Sequence, residues 1–570
     1  MNITLSQLRL FSGGGNIHRE SGTRSWLRKM PDGWVLVTVM AAITVSLPLL
    51  AVALTALQPA GEVMEHIAST LLLRLLGNSA ILVAGVGTGT LVLGVSLAWL
   101  TAACDYPGRR FFTWSLLLPM AVPAYVLAFT FLGLFDYSGP VQSMLRSLSL
   151  PALPSIRTPG GVVLVMSLAL YPYVYLLTRN AFRTQGIRAL EAASSLGHGH
   201  AGGFFKVALP MARPWIASGV MLVIMETLAD FGAVSIFNFD TFTTAIYKAW
   251  FGFFSLPAAA RLSMPLILFA FLVLTLEKRA RARTAYSAMG HDQSSASRIT
   301  LKAPWNYLAT GYCVLVISLA FVVPAGQLAV WAAESFKEEF AASYTGLFTN
   351  TLILAALSSI VICTIALVIS YTGRRHPGKG VGHLTRSATL GYALPGSVLA
   401  VGVFMAVAGL DRVLDRIWIF FSGSSHSLYL QGTMVVLILA YAVRFMAVGY
   451  SSIDSSMNRV TRSTHESARI MGVSGFGLLR RIYFPILRSG ILTASILVFV
   501  DVMKEMPITL MTRPFGMSTL ATKIFELTSE GEWERAALPA IALIIAGLIP
   551  VAILTRLSDS GPGSHTKTER

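Results

Sequence analysis

Glu191-Ala192-Ala193 is followed, after three residues, by Gly197 and, after nine more, by Val207-Ala208-Leu209-Pro210. The same spacing returns 275 positions later as Glu466-Ser467-Ala468, Gly472 and Ile482-Tyr483-Phe484-Pro485. Each stretch reads as a short amphipathic helix, a glycine turn and a chain entering a long apolar run. The glycine permits a positive φ at the end of the short helix. Proline suits the first turn of the next helix, where its missing N–H costs little.

The register continues outward. Asn78-Ser79 matches Asn350-Thr351 at an offset of 272, and Pro123-Ala124-Tyr125-Val126-Leu127-Ala128 matches Pro395-Gly396-Ser397-Val398-Leu399-Ala400 at the same offset. A register kept to within three residues from Asn78 to Pro210 means two copies of one unit. The basic stretch from Glu277 to Lys302 is the joint between them.

Composition says what kind of unit this is. Of 570 residues, 54% are hydrophobic and 12% charged, with a mean hydropathy of +0.66. Ordinary globular chains carry about 25% charged residues. The composition excludes a disordered chain, a coiled coil and a small secreted scaffold, and it speaks against a water-soluble enzyme. It points to a polytopic membrane protein. Long uncharged runs lie at Val35–Leu57, Asn78–Cys104, Phe111–Phe135, Gly160–Thr178, Ala303–Ala333, Phe340–Gly373, Ser387–Leu410, Ile417–Val443 and Ala536–Thr555. A shorter run lies at Leu262–Leu276, and two more, Pro214–Phe237 and Pro485–Met506, are interrupted by acids. Together they predict twelve spans. The net charge is +17. With a cytoplasmic N-terminus, alternation puts almost all the excess positive charge on the cytoplasmic side, so both termini are expected there. Nucleic acid is not needed to explain the charge. The first 34 residues are polar and basic, and the run after them reads as an anchor without a cleavage site.

The paired loop resembles the EAA loop of ABC importer permeases, with Ser467 in place of the first alanine and Phe484 in place of leucine. Other stretches are most similar to the fused ferric-iron permeases: Asp136-Tyr137-Ser138-Gly139-Pro140, Tyr171-Pro172-Tyr173-Val174-Tyr175, Glu226-Thr227-Leu228-Ala229-Asp230-Phe231-Gly232 and Asp501-Val502-Met503-Lys504-Glu505-Met506-Pro507. The resemblance implies an all-α integral membrane fold of twelve transmembrane helices, built as two tandem six-helix type I ABC importer permease repeats. It divides the chain into an N-terminal segment (1–34), a first permease domain (35–283), a linker (284–305), a second permease domain (306–557) and a tail (558–570). It implies a bacterial inner-membrane subunit that translocates ferric iron and binds no cofactor itself. ATP and Mg would sit on two copies of a partner ABC ATPase, and a periplasmic solute-binding protein would deliver the solute. Glu191, Ala192, Ala193 and Gly197, with Glu466, Ser467, Ala468 and Gly472, would couple to the ATPase. Thiamine or a phosphonate-type solute remains open, and so does a proton-coupled secondary transporter of the 6+6 type.

Four acids fall inside predicted spans. Glu226 and Asp230 lie four residues apart, and Asp501 and Glu505 occupy the positions 275 residues later. On continuous helix each pair would share one face, about 40° apart. An acid at the bilayer centre costs roughly 2.5–3.5 kcal/mol. These acids are therefore expected to line a translocation path, with possible transient Fe(III) contact, to pair with Lys504 or Arg444, or to cap broken helices. Gly232 and Pro507 suggest a helix break just after each pair. Tyr125, Tyr137 and Tyr247 are candidate oxygen donors.

Other signals carry less. Gly373 to Gly380 mimics a phosphate loop but lacks the Ser/Thr hydroxyl and follows a span. His198-Gly199-His200 offers only two ligands. Cys104, Cys313 and Cys363 read as core residues. Gly85, Gly87, Gly89 and Gly94 point to close helix packing. Trp99, Trp250, Trp331 and Trp533 are expected near the membrane interfaces.

Overall fold

The computed structural model describes residues 32–59, 61–186, 199–282, 298–339, 343–376, 378–423, 430–458 and 475–559, with isolated residues between 459 and 474. Among these are twelve helices long and apolar enough to cross a membrane: Gly33–Ala56, Leu72–Ala103, Ala124–Ser147, Pro159–Thr184, Phe204–Ala229, Leu256–Leu276, Trp305–Ser335, Tyr344–Arg375, Gly396–Ser422, Met434–Met457, Leu479–Lys504 and Trp533–Ala552. They are spans one to twelve below. The only strand pairing among the described residues joins Cys104-Asp105 to Ile299-Thr300, tying the end of the second span to the joint between the halves.

The repeat is visible in the packing. Spans two, four and five form one three-helix core, and spans eight, ten and eleven form its copy. Small residues set the closeness of the first core. A Cβ on Gly85, Gly89 or Gly94 would lie 2.7 Å from Val163, 2.4 Å from Ser167 or 2.6 Å from Val174. Gly87 faces the fifth span instead, at an ordinary 3.8 Å from Ile224.

The two halves exchange helices. The first span packs on the eighth and ninth, and the seventh packs on the third and twelfth. The sixth and twelfth spans also cross over, each resting on the 3₁₀ turn that opens the opposite half's third helix, Leu390–Ala393 and Leu118–Ala121 respectively. Each half's third helix is thus clasped by first and last spans of the other. Of Trp99, Trp250, Trp331 and Trp533, the last three pack across this seam. Trp250 and Trp331 are buried. Trp331 abuts Gly133, Trp533 stacks on Phe129, and Trp250 meets Phe404 with ring centroids 4.6 Å apart. Trp99 packs between Phe182 and Phe204 inside the first half.

Two sequence expectations shift. The run Phe111–Phe135 is not one helix but Arg109–Ser115, a 3₁₀ turn and a helix from Ala124, because Pro119 and Pro123 interrupt the backbone ladder. The run Ile417–Val443 is not one span. Ile417 to Ser422 end the ninth span, and the tenth begins at Met434 after a glycine cap, Gly423, at φ 71°.

Candidate translocation path

The fifth and eleventh spans both open on a π turn, Phe204–Ala208 and Leu479–Tyr483, just ahead of Pro210 and Pro485. A proline in the second helical position has no N–H to return to the preceding turn, and the wider turn accommodates it. Both spans end on an acid: the fifth stops at Ala229 with Asp230 extended (φ −66°, ψ 132°), the eleventh at Lys504 with Glu505 extended (φ −70°, ψ 117°).

The break therefore falls on the second acid of each pair, not after it. Gly232 and Pro507 open the short helices that follow, Gly232–Ile236 and Pro507–Thr512. Asp230 accepts from the Val234 N–H at 3.1 Å, and Glu505 accepts from the Ile508 N–H at 3.1 Å. Their main-chain carbonyls take the hydroxyls of Thr243 and Thr509, each at 2.6 Å. Glycine is needed at 232 for closeness: a Cβ there would lie 2.7 Å from Tyr125 Cβ. The pairs do not share one helix face, because Asp230 and Glu505 leave the helix to cap the next one. Glu226 and Asp501 remain on helix.

A second contact ties each break to its half. Asn78 donates its amide to the Asp240 carbonyl at 2.8 Å, and Asn350 donates to the Ser518 carbonyl at 3.3 Å. Each acceptor directly precedes a threonine capping box, Thr241 with Thr244 and Thr519 with Thr522. The repeated asparagines thus do the same work in both halves.

The acids meet at the seam. The Tyr392 hydroxyl, from the second half, donates to Glu226 Oε1 at 3.4 Å. Asp501 lies within electrostatic reach of Glu226, Lys504, Arg444 and Glu505, and Tyr173 within reach of Glu226 and Asp501. All four acids keep partial access to a water-sized probe, although Asp230, Asp501 and Glu505 are surrounded by protein. That combination suits groups lining an internal wet space rather than facing lipid. Among the described residues none of the four forms an ion pair within 4 Å, and no three His, Cys, Asp or Glu side chains gather closely enough to hold a metal ion. The acids face a common region without forming one ligand set in this arrangement.

The candidate phenols separate. Tyr125 is buried, with its hydroxyl 3.4 Å from the Lys504 carbonyl. Tyr247 packs among Phe231, Phe251 and Phe525. Tyr137 is 78% exposed under Arg146, away from the acids. Tyr125 also lies within electrostatic reach of Glu505, as does Tyr441. Tyr173 and Tyr392 lie beside Glu226, and a search for charges passed them over; the signal for Tyr392 is its place in the turn three residues before the repeated Pro395.

Glu191, Ala192, Ala193, Gly197, Glu466, Ala468 and Gly472 lie outside the described residues, as do His198 and the segments 1–31, 283–297 and 560–570. Ser467, Ile470 and Met471 are described, and all three are exposed.

Two six-helix units, exchanged at their first and last spans and carrying acids at broken helices on the seam, define a multi-pass transport permease. The family model for "Binding-protein-dependent transport system inner membrane component" matches residues 91–286 and again 366–561. The chain belongs to this family and is an inner-membrane permease with the domain present twice. It is 25% identical over 535 residues to an Fe(3+)-transport system permease protein, FbpB 2, of Haemophilus influenzae, covering 93% of this chain and 99% of that one. It is 21% identical to a putative ferric transport system permease protein, FbpB 1, of the same organism, covering 78% and 70%. It is also 21% identical to a ferric transport system permease protein of Actinobacillus pleuropneumoniae, covering 78% and 65%.

Proposed function

We propose that this chain forms the whole membrane path of an ABC importer for ferric iron. The observation that carries the reading is the end-to-end match to an Fe(3+)-transport permease, over 93% of this chain. The partly buried acids Glu226, Asp230, Asp501 and Glu505 support it, because a hard trivalent cation prefers oxygen donors and negative charge. A periplasmic binding protein releases the ion to the external mouth. Two ATPase subunits, holding ATP and Mg, dock on the loops around Glu191–Gly197 and Glu466–Gly472. Closure of the ATPases rocks the two halves about the seam, and the ion passes the acids near the midplane. The chain itself binds no cofactor and makes no covalent bond. Its permease domains are residues 35–283 and 306–557, joined by 284–305, with 1–34, 558–570 and both termini in the cytoplasm.

The test is uptake in proteoliposomes containing the chain, its ATPase and its binding protein. ATP-dependent accumulation of radiolabelled ferric ion is expected, with labelled thiamine and aminoethylphosphonate as parallel arms. Neutralising all four acids (Glu226→Gln, Asp230→Asn, Asp501→Asn, Glu505→Gln) should abolish iron uptake while ATPase docking survives. Accumulation of another solute, or normal iron uptake by that variant, sinks the cation path. Accumulation driven by a proton gradient with ATP clamped would identify a secondary transporter.

A further inference from the structure

Two cationic side chains share the seam with the four acids, and both come from the second half. Lys504 donates its ammonium to the Met120 carbonyl of the first half at 3.2 Å. Gly547 of the twelfth span leaves room for it, since a Cβ there would lie 2.7 Å from Nζ. The repeat counterpart of Lys504, 275 positions earlier, is Ala229, so the first half has no such group. Arg444, on the tenth span, is 8% exposed. Its Nε has no partner among the described residues. Its remaining contacts are a long bond to the Tyr392 carbonyl, 3.5 Å, and the Tyr392 ring, 5.8 Å from the guanidinium carbon.

Neither cation forms an ion pair within 4 Å among the described residues, yet Asp501 lies within electrostatic reach of both and Glu505 within reach of Arg444. Buried charges held near opposite charges without touching them are costly, and an orphaned buried donor calls for an explanation. Transport supplies one. A path must attract its ion and still let it go. Several carboxylates in a low-dielectric seam attract a trivalent cation strongly, so release is the harder step.

We propose that Lys504 and Arg444 are internal counter-cations that compete with the cargo ion for the seam carboxylates and so set its release. This rests on the cation path proposed above. In the arrangement described, the Met120 carbonyl holds Lys504, and Asp501, three residues back on the same helix, is open to cargo. Parting of the halves removes Met120. The ammonium then turns to Asp501, and the ion loses a ligand charge. Arg444 balances Glu505 and Asp501 in the same way from the tenth span. Both act through the carboxylates and do not contact the cargo.

The inference makes affinity and turnover move in opposite directions. Binding of ferric ion buffered by nitrilotriacetate is measured on the purified full chain, and turnover in proteoliposomes with the ATPase and binding protein. Lys504→Met and Arg444→Met should each bind the ion about tenfold more tightly or more, and turn over about tenfold more slowly, as loss of one nearby like charge requires. Lys504→Arg and Arg444→Lys should keep both properties near those of the unaltered chain. Unchanged affinity in both methionine variants, with the unaltered chain binding and transporting iron, overturns the inference and leaves the carboxylate path standing. So does loss of binding in the conservative variants, which marks a purely structural role. If the unaltered chain neither binds nor accumulates ferric ion, the cation path itself falls.

Discussion

Tyr392 of the second half donates its hydroxyl to Glu226 of the first, 3.4 Å away, so a turn in one repeat sits against the spanning helix of the other. The contact exists because the repeats differ here: the counterpart of Tyr392, 272 positions earlier, is Met120, whose carbonyl receives Lys504. One pseudo-symmetric position thus presents a phenol to an acid on one side and a main-chain carbonyl to an ammonium on the other. Removing the phenol hydroxyl (Tyr392→Phe) should reduce iron uptake several-fold with little change in thermal stability, since the hydroxyl–carboxylate bond is long and part-buried. Glu226→Gln should lower uptake further, and the double variant should be no worse than Glu226→Gln alone. Additive losses would show that the two residues act separately.

The four acids divide into two kinds, and substitution should reveal it. Asp230 and Glu505 accept backbone N–H groups at the starts of short helices, so Asp230→Ala and Glu505→Ala should each cost about 1 kcal/mol through the lost cap. Asp230→Asn and Glu505→Gln keep an accepting oxygen and should melt close to the unaltered protein. Glu226→Ala and Asp501→Ala have no capping bond to lose and should change uptake more than melting temperature. The reverse pattern in detergent-solubilised melts would remove the capping assignment.

Asn78 and Asn350 predict a matched pair of stability losses. Each amide ties a core helix to the carbonyl ahead of a capping box, 2.8 Å and 3.3 Å away. Asn78→Ala and Asn350→Ala should each destabilise by about 1 kcal/mol. The Asn78 variant should lose more, its bond being shorter. Equal stability to the unaltered protein in both variants would show that water replaces these bonds without cost.

These asparagines also mark how far sequence reasoning reaches. Asn78-Ser79 and Asn350-Thr351 were legible as a repeat, and so were twelve spans, because apolar length and register survive in the linear order. The class of protein was legible from the paired loops around Glu191 and Glu466 and from the acid-bearing segments. The exchange of first and last spans was not, since nothing along Gly33–Ala56 says which half it will touch. Capping of broken helices was one reading open for the four acids, but which two of them do it, Asp230 and Glu505, was not legible. Four-residue spacing looks helical on paper, and only the extended backbone at the second acid separates the pair. The partners of Trp331 and Trp250 were hidden for a related reason: an aromatic ring near the end of an apolar run fits a headgroup belt or a helix seam equally well.

The close approach of the second and fourth spans gives the last prediction. A Cβ at Gly89 would lie 2.4 Å from Ser167 Oγ and one at Gly94 would lie 2.6 Å from Val174 Cβ, whereas one at Gly87 would meet only Ile224 at 3.8 Å. Packed interiors tolerate little added volume, and overpacking typically costs 1–3 kcal/mol. Gly94→Val must displace Val174, a β-branched residue whose Cβ cannot swing away, so it should cost at least about that much and lower the amount of folded protein in the membrane. Gly89→Ala meets the hydroxyl end of a small side chain that can rotate, and should cost less. Gly87→Ala meets an ordinary contact and should be near neutral. The order Gly94→Val, Gly89→Ala, Gly87→Ala in declining severity is read by thermal melts and by yield of folded protein. Because no residue of the seam is touched, the variants that do fold should bind ferric ion as the unaltered chain does. A Gly87→Ala variant as damaged as Gly94→Val would mean that the second span is not held against the fourth in the manner described.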